Sequence, residues 1–352
     1  LTAYIIHNSI QLQNSIAMLQ VDLHGGAITD FHLLSNPVNP LSFRFTKDQM
    51  PAQNKAGAVY QGHFICAGRW GEASPGEIKA GMPNHGQPAN INWQNYETNN
   101  PRVITMDTTA PLEGLHVFRK IEMNANEAVC HVSEIITNIK TLGRLYQMVQ
   151  HPTIGAPFLD KETVIQCNAT EGFSYMHAND PLSNTVHWPT IALPENEEAF
   201  DLRQPQQPFN SVFSFIVNPQ DEFGWLTAYN PEQNLIMGYI WPRKQYPWIN
   251  LWQHFEQGHL QYRGLEFGNT GLHQPFQQII ANNHLQVFGQ PTVSWIDAGE
   301  KVLREYGNFL FQPPQGFLGV EKLLLENNEL ILVEMQTAKQ FKIGNFLFNQ
   351  HD

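Results

Sequence analysis

The stretch "AMLQVDL", Ala17–Leu23, decides the fold class. Ala17, Leu19, Val21 and Leu23 fall on one side of an extended chain, and Gln20 and Asp22 on the other. A period of two puts one face on a core and the other in water, as in a half-buried strand. Working outward, the same alternation runs through "IQLQ" (Ile10–Gln13), "GLHVFRKIEM" (Gly114–Met123), "AVCHVSEIITNI" (Ala128–Ile139) and "SVFSFIV" (Ser211–Val217). Strand-favouring Val, Ile, Phe and Thr fill these segments. Turn signals separate them: Gly25-Gly26, "SNPVNP" (Ser35–Pro40), "NAN" (Asn124–Asn126) and "YNPEQN" (Tyr229–Asn234).

Many short strands between regular turns predict an all-β protein, a large antiparallel sandwich. No helix longer than about three turns is expected. Near the end, "VEKLLLENNELILVEM" (Val320–Met335) holds two apolar runs around Glu326-Asn327-Asn328-Glu329 and reads as a hairpin. The expected organisation is a main sandwich over residues 1–311. Residues 312–352, entered through "QPPQG", are expected as an appended β-hairpin element packed on the same domain.

Composition narrows the function. The chain has 352 residues, 42% apolar and only 15% charged, which suits a globular core rather than disorder. A formal net charge of −12 repels phosphate backbones and anionic lipid, so neither nucleic acid nor membrane is an expected partner. No apolar run reaches the length of a bilayer span. Cys66, Cys130 and Cys167 are odd in number and widely spaced, which predicts buried free thiols rather than a disulfide frame or a zinc site. The expected compartment is the cytoplasm, or the periplasm or exterior if a signal peptide preceded Leu1. The expected assembly is a monomer or homodimer.

Three segments carry candidate chemistry. In "GMPNHGQPANINW" (Gly81–Trp93), Pro83 and Pro88 restrain the backbone around Asn84-His85-Gly86, and Gly86 permits close approach. An imidazole held there can exchange protons near neutrality, although a surface histidine in a Pro-rich loop has the same pattern. In "QHPTIGAPFL" (Gln150–Leu159), His151 follows the apolar run "LYQMV" and is expected where a strand gives way to a loop. In "YRGLEFGNTG" (Tyr262–Gly271), Glu266 stands between Leu265 and Phe267. A carboxylate in such company is an outward-facing strand residue, or is buried and then paired or protonated.

Aromatic residues crowd "YIWPRKQYPWINLWQHFEQGH" (Tyr239–His259). Trp248 and Trp252, with Trp241 and Tyr246, are candidates to stack on a sugar ring, with at least two of the four expected in the core. Arg69 in "CAGRWGEASPGE" (Cys66–Glu77) is a candidate to bond a polar ligand in a fork, with a surface ion pair as the equal alternative. Nucleophile-elbow, zinc-protease and phosphate-loop motifs are absent, and neither a metal nor another cofactor is expected.

Taken together, the order His, His, Glu and the segments "VDLHGGAITDFHL", "NPLSF", "HGQPANINW", "QHPTIGAPFL", "GLEFGNTG" and "VSWIDAGEKV" resemble the aldose 1-epimerase (galactose mutarotase-like) superfamily. The resemblance runs from Gly25 to Glu300. It implies a β-supersandwich with a sugar cleft on one face, His85 and His151 near the ring oxygen, and Glu266 near the anomeric hydroxyl. Arg69 and Trp93 would then bind substrate or wall the site. It also makes "AGEKVLREYGNF" (Ala298–Phe309) a strand, although its composition suits a helix. Gln87 and Asn90 stand where many members carry an arginine, and Pro152 and Thr153 stand where many carry an aromatic and an asparagine, which marks a divergent branch. The implied activity is interconversion of α and β sugar anomers by acid–base ring opening. The alternatives are a carbohydrate-binding protein using the same cleft, and an accessory sandwich of a larger sugar-degrading enzyme.

Overall fold

The alternation at Ala17 becomes the strand Ala17–Asp22, hydrogen-bonded to Ser9–Gln13 on one side and Ile28–Leu33 on the other. A computed structural model describes residues 4–6, 8–192, 199–204 and 209–349. These strands form one wing of a twelve-stranded antiparallel sheet. Its middle runs, in spatial order, through His63–Gly68, Arg144–Gly155, His259–Gly268, Trp248–Glu256 and Ser211–Val217. An eight-stranded antiparallel sheet is built around Leu235–Pro242, Lys301–Phe311, Val129–Asn138 and Leu115–Met123. The fold is mostly β, with large antiparallel sheets. The described helices are short, Pro75–Lys79 and Phe276–Ala281 being the two α-helices. Among the described residues, no helix is long and apolar enough to cross a membrane.

The two sheets share one apolar core. Leu19, Ile65, Met148 and Leu265 enter it from the large sheet, and Val117, Val132, Leu226 and Met237 from the smaller one. Lys301–Phe311 is a strand paired with both Leu235–Pro242 and Val129–Asn138, so its helix-compatible composition yields to two ladders of backbone bonds. The three cysteines are free and buried.

The C-terminal hairpin pairs Val320–Glu326 with Glu329–Glu334. Asn327 and Asn328 turn it with φ of 51° and 65°, the left-handed pair that a two-residue hairpin loop demands. A third strand, Gln340–Asn345, adds to it and was not read from the sequence. Leu323, Leu330, Leu332 and Ile343 pack with Trp225, Ile236, Ile240 and Phe309, on the face of the eight-stranded sheet turned away from the main core.

A buried polar network crosses the main core. Arg119 Nε donates to Glu134 Oε1 at 2.7 Å, and the Arg119 guanidinium lies 4.9 Å from the centre of the Trp93 ring. Arg119 also donates to the Gly26 carbonyl. Across the gap, Gln150 Nε2 donates to Glu134 Oε2 and, at 3.1 Å, to the Tyr246 hydroxyl, and His63 Nε2 meets Gln150 Oε1 at 3.1 Å. Removing one partner of such a pair strands a charge out of water. Arg119→Leu is expected to lower stability by roughly 3–5 kcal/mol in guanidinium melts. The double change to Arg119→Met and Glu134→Leu is expected to lose markedly less.

Candidate functional site

Strand alternation sorts the residues of the large sheet. Along Arg144–Gly155, Met148, Gln150 and Ile154 face the core between the sheets, and Val149 and His151 face outward. Along His259–Gly268, Leu265 and Phe267 face in and Glu266 faces out. The register Gln150↔Phe267 and Thr153↔Gly264 sets His151 across from Glu266. Their side chains meet, with His151 Nε2 3.2 Å from Glu266 Oε1. The other carboxyl oxygen accepts from Trp70 Nε1 at 2.9 Å.

His85 arrives from a loop. Its backbone has φ 59°, and its N–H donates to the Gly71 carbonyl at 3.0 Å. The Gly71 N–H donates in return to His85 Nδ1 at 3.0 Å, which leaves Nε2 as the protonated nitrogen of the neutral ring. Gly86 follows with φ 80°, and a Cβ there would sit 2.3 Å from the Ala67 carbonyl oxygen. Only glycine lets the loop lie that close to the strand. Asn84 and Asn54 brace the loop, with Asn84 N donating to Asn54 Oδ1 at 2.9 Å and Tyr60 Oη donating to the Asn84 carbonyl at 2.7 Å.

These groups line one cavity of about 240 Å³ with Tyr60, Phe64, Trp70, Trp252 and His273. The Phe64 ring stacks on His151 at 4.2 Å between centroids, and the His85 and His151 rings are 5.4 Å apart. The structure therefore brings together His85, His151, Glu266 and Trp252. It does not bring the other three candidates to this cavity. Arg69 turns its guanidinium to Glu77, with Nη2 2.6 Å from Oε1, and is held in an ion pair. Trp93 is buried beneath Gly26, between the Arg119 guanidinium and the Pro88 carbonyl, to which its Nε1 donates at 2.9 Å. Trp248 shares the outward face of its strand with Trp252, but Leu272, Ile279 and Val287 cover it, and Nε1 donates to the Pro291 carbonyl at 2.6 Å. With Trp241 and Tyr246 in the main core, three of the four aromatics have structural positions.

Sequence reasoning missed Trp70 and His273. Trp70 adjoins the candidate Arg69, and of the two neighbours it is Trp70 that lines this cavity. His273 lies two residues beyond "GLEFGNTG", and its ring is 4.9 Å from Trp70 and 5.5 Å from His85.

Burial governs the electrostatics. It pushes His151 down to about 3 and His273 down to about 4, and with its two neighbouring imidazoles it holds His85 well below the usual histidine value. Burial raises Glu266 well above the usual carboxyl value, against the Trp70 hydrogen bond, which favours the carboxylate. Both shifts favour the uncharged forms, a carboxylic acid beside a neutral imidazole. His151 Nδ1 lies 3.0 Å from Thr153 Oγ1, and the opposite ring nitrogen, Nε2, is the one beside Glu266.

The depressed histidines couple to stability. An unfolded chain takes up protons near pH 6.5, whereas the folded imidazoles resist until about 3 for His151 and about 4 for His273. Their contribution is present above pH 6.5 and is lost as pH falls toward 4. Glu266 works the other way, because its raised carboxyl keeps a proton in the folded chain that an unfolded chain releases above about 4.3. With three depressed histidines, His85 among them, against this one carboxyl, denaturant melts between pH 6.5 and 4.5 are expected to show a net loss, and His151→Gln is expected to flatten its slope.

No family model matches the chain, and no curated protein matches it in sequence. Solved structures do match. The Slr1438 protein of Synechocystis sp. PCC 6803 superposes with a TM-score of 0.61 at 13% identity, over 89% of this chain and 98% of that one. A galactose mutarotase-like protein from Clostridium acetobutylicum gives 0.60 at 12% identity, over 89% and 98%. A galactose mutarotase related enzyme from Lactobacillus acidophilus gives 0.58 at 10% identity, over 87% and 98%. The chain's fold is galactose mutarotase-like.

Proposed function

We propose that the protein interconverts the α and β anomers of a sugar, as an aldose 1-epimerase does. The observation that carries this reading is the His151–Glu266 contact of 3.2 Å at the wall of a small cavity that His85 also lines. A cavity below the roughly 300–1,000 Å³ of drug-sized sites suits a single sugar ring. Aromatic rings of Tyr60 and Trp252 at the cavity wall suit its C–H faces.

Ring opening of a hemiacetal needs one proton delivered to the ring oxygen and one taken from the C1 hydroxyl. The pair holds the one proton required. Transfer from Glu266 to His151 makes a carboxylate and an imidazolium. The carboxylate takes the C1 hydroxyl proton as the imidazolium protonates the ring oxygen, and the bond from C1 to the ring oxygen breaks. Rotation of the aldehyde and reversal of both transfers closes the other anomer and leaves the carboxylate and imidazolium again, and passage of the proton from His151 back to Glu266 restores the resting pair. His85 offers its Nε2 proton to polarise the substrate. No metal or covalent intermediate enters these steps.

NMR exchange spectroscopy of free sugars tests the reading. Glu266→Gln and His151→Ala are each expected to lose about 10²–10⁴-fold in exchange rate. Unchanged rates in both would refute the assignment. Sugar binding by the wild type without exchange would instead make the cleft a recognition site. Trp70→Phe, which deletes the donor to the Glu266 carboxyl, is expected to slow exchange about tenfold and to move upward the falling limb of the pH profile, where Glu266 loses its proton.

A further inference from the structure

The cavity has two ends of opposite chemistry. His85, His151, Glu266 and His273 lie at one. Phe43, Phe45, Val212 and Trp252 form the other. Phe43 and Phe45 meet edge to face at 4.9 Å, and Trp252 stands 6.0 Å from Phe43 and 6.2 Å from Phe45. Trp252 also lies 6.0 Å from the His151 ring, so it links the two ends.

No lysine or arginine is among the described residues that line the cavity. Cations nearby in sequence are engaged elsewhere. On the loop that supplies Phe43 and Phe45, Arg44 donates to Gln61 at 2.8 Å and Lys47 to the carbonyls of Lys55 and Gly57. Arg243 donates to the Asp221 carbonyl at 2.7 Å, and the buried Arg263 donates to the carbonyls of Leu202 and Arg203. Outside the acid–base cluster, the amides present are Asn84 and Gln49. Gln49 Oε1 already accepts from Thr46 N at 2.9 Å.

A phosphate placed here meets no counter-charge, and a hydroxyl pressed on the aromatic wall loses its water without gaining a partner. A methyl or methylene there gains burial instead. We propose that the cavity selects an uncharged sugar with an apolar position, a deoxy carbon or a methyl, that rests against Phe43, Phe45, Val212 and Trp252. This rests on the acid–base reading of the same site, and gives that site a substrate class.

The test titrates the wild-type protein with D-glucose, D-galactose, their 2-deoxy and 6-deoxy analogues, and D-glucose 6-phosphate. Quenching of tryptophan fluorescence reads binding through Trp70 and Trp252, and NMR reads anomer exchange in the same samples. At least one deoxy sugar is expected to bind about tenfold or more tighter than its parent, the scale of one group in an apolar pocket, with the 6-phosphate unbound. Parent hexoses binding as tightly as every deoxy analogue, or the 6-phosphate binding tightest, would overturn the proposal while exchange of the parents upheld the acid–base reading. A deoxy preference in binding without exchange would do the reverse. Binding of none of these sugars would overturn both. Val212→Thr keeps the shape and adds a hydroxyl, so the deoxy preference is expected to fall several-fold. An unchanged preference would overturn the placement against this wall.

Discussion

The Arg119–Glu134 pair is the constraint on which the rest of the structure depends. Both side chains are buried between the sheets, where an unpaired charge is not tolerated. Glu134 reaches Gln150 across the core, and Arg119 reaches the Gly26 carbonyl and the Trp93 ring. The pair thus ties the eight-stranded sheet to the central strand Arg144–Gly155, to Trp93 at the end of the segment that carries His85, and to Gly26, which packs on that tryptophan. With Gln150 pinned inward, the next residue has to point outward. A slip of one residue would bury His151 and expose Gln150, and would strand the network's buried atoms. The position of the imidazole in the cleft is therefore fixed from the far side of the sheet.

That dependence explains how much was legible in the sequence. Alternation at Ala17–Asp22, Leu115–Met123, Val129–Asn138 and Ser211–Val217 showed the strands, because each has one face on the core and local pattern suffices. Lys301–Phe311 was legible only by resemblance, since its pairing with two distant strands overrides its composition. Gln340–Asn345 carries little signal, because the exposed Gln340, Lys342 and Asn345 leave only Phe341 and Ile343 to mark an apolar contribution.

The site residues were legible in proportion to how local their signals were. His85 has its glycine and prolines beside it, and the close approach of Gly86 to Ala67 is the physical reason for that punctuation. Glu266 shows itself between two apolar residues. Trp248 and Trp252 could not be separated locally: they share a strand and a face, and the difference is the segment from Leu272 to Val287 that folds over one of them. Arg69 and Trp70 pose the same problem at a strand exit. Which of two neighbours turns to the cavity is settled by Glu77, which captures the guanidinium, and by Glu266, which accepts from the indole.

Burial that makes the cleft hard to charge also suits it to move a proton. In a medium poorer in water than the surface, separating charge over the His151–Glu266 contact is expensive at rest, so the pair stays uncharged. A hemiacetal changes that balance, because its ring oxygen and C1 hydroxyl offer an acceptor and a donor at once. In the proposed reaction, charge that appears on the pair is consumed by the substrate as the ring opens. The Trp70 N–H, already directed at the carboxyl oxygen, would stabilise the brief carboxylate of that reaction without reorganisation. A permanent cation in the cavity would hold the carboxylate charged and weaken it as a base. The want of lysine and arginine among the described lining residues and the proposed acid–base chemistry are then two consequences of one apolar setting.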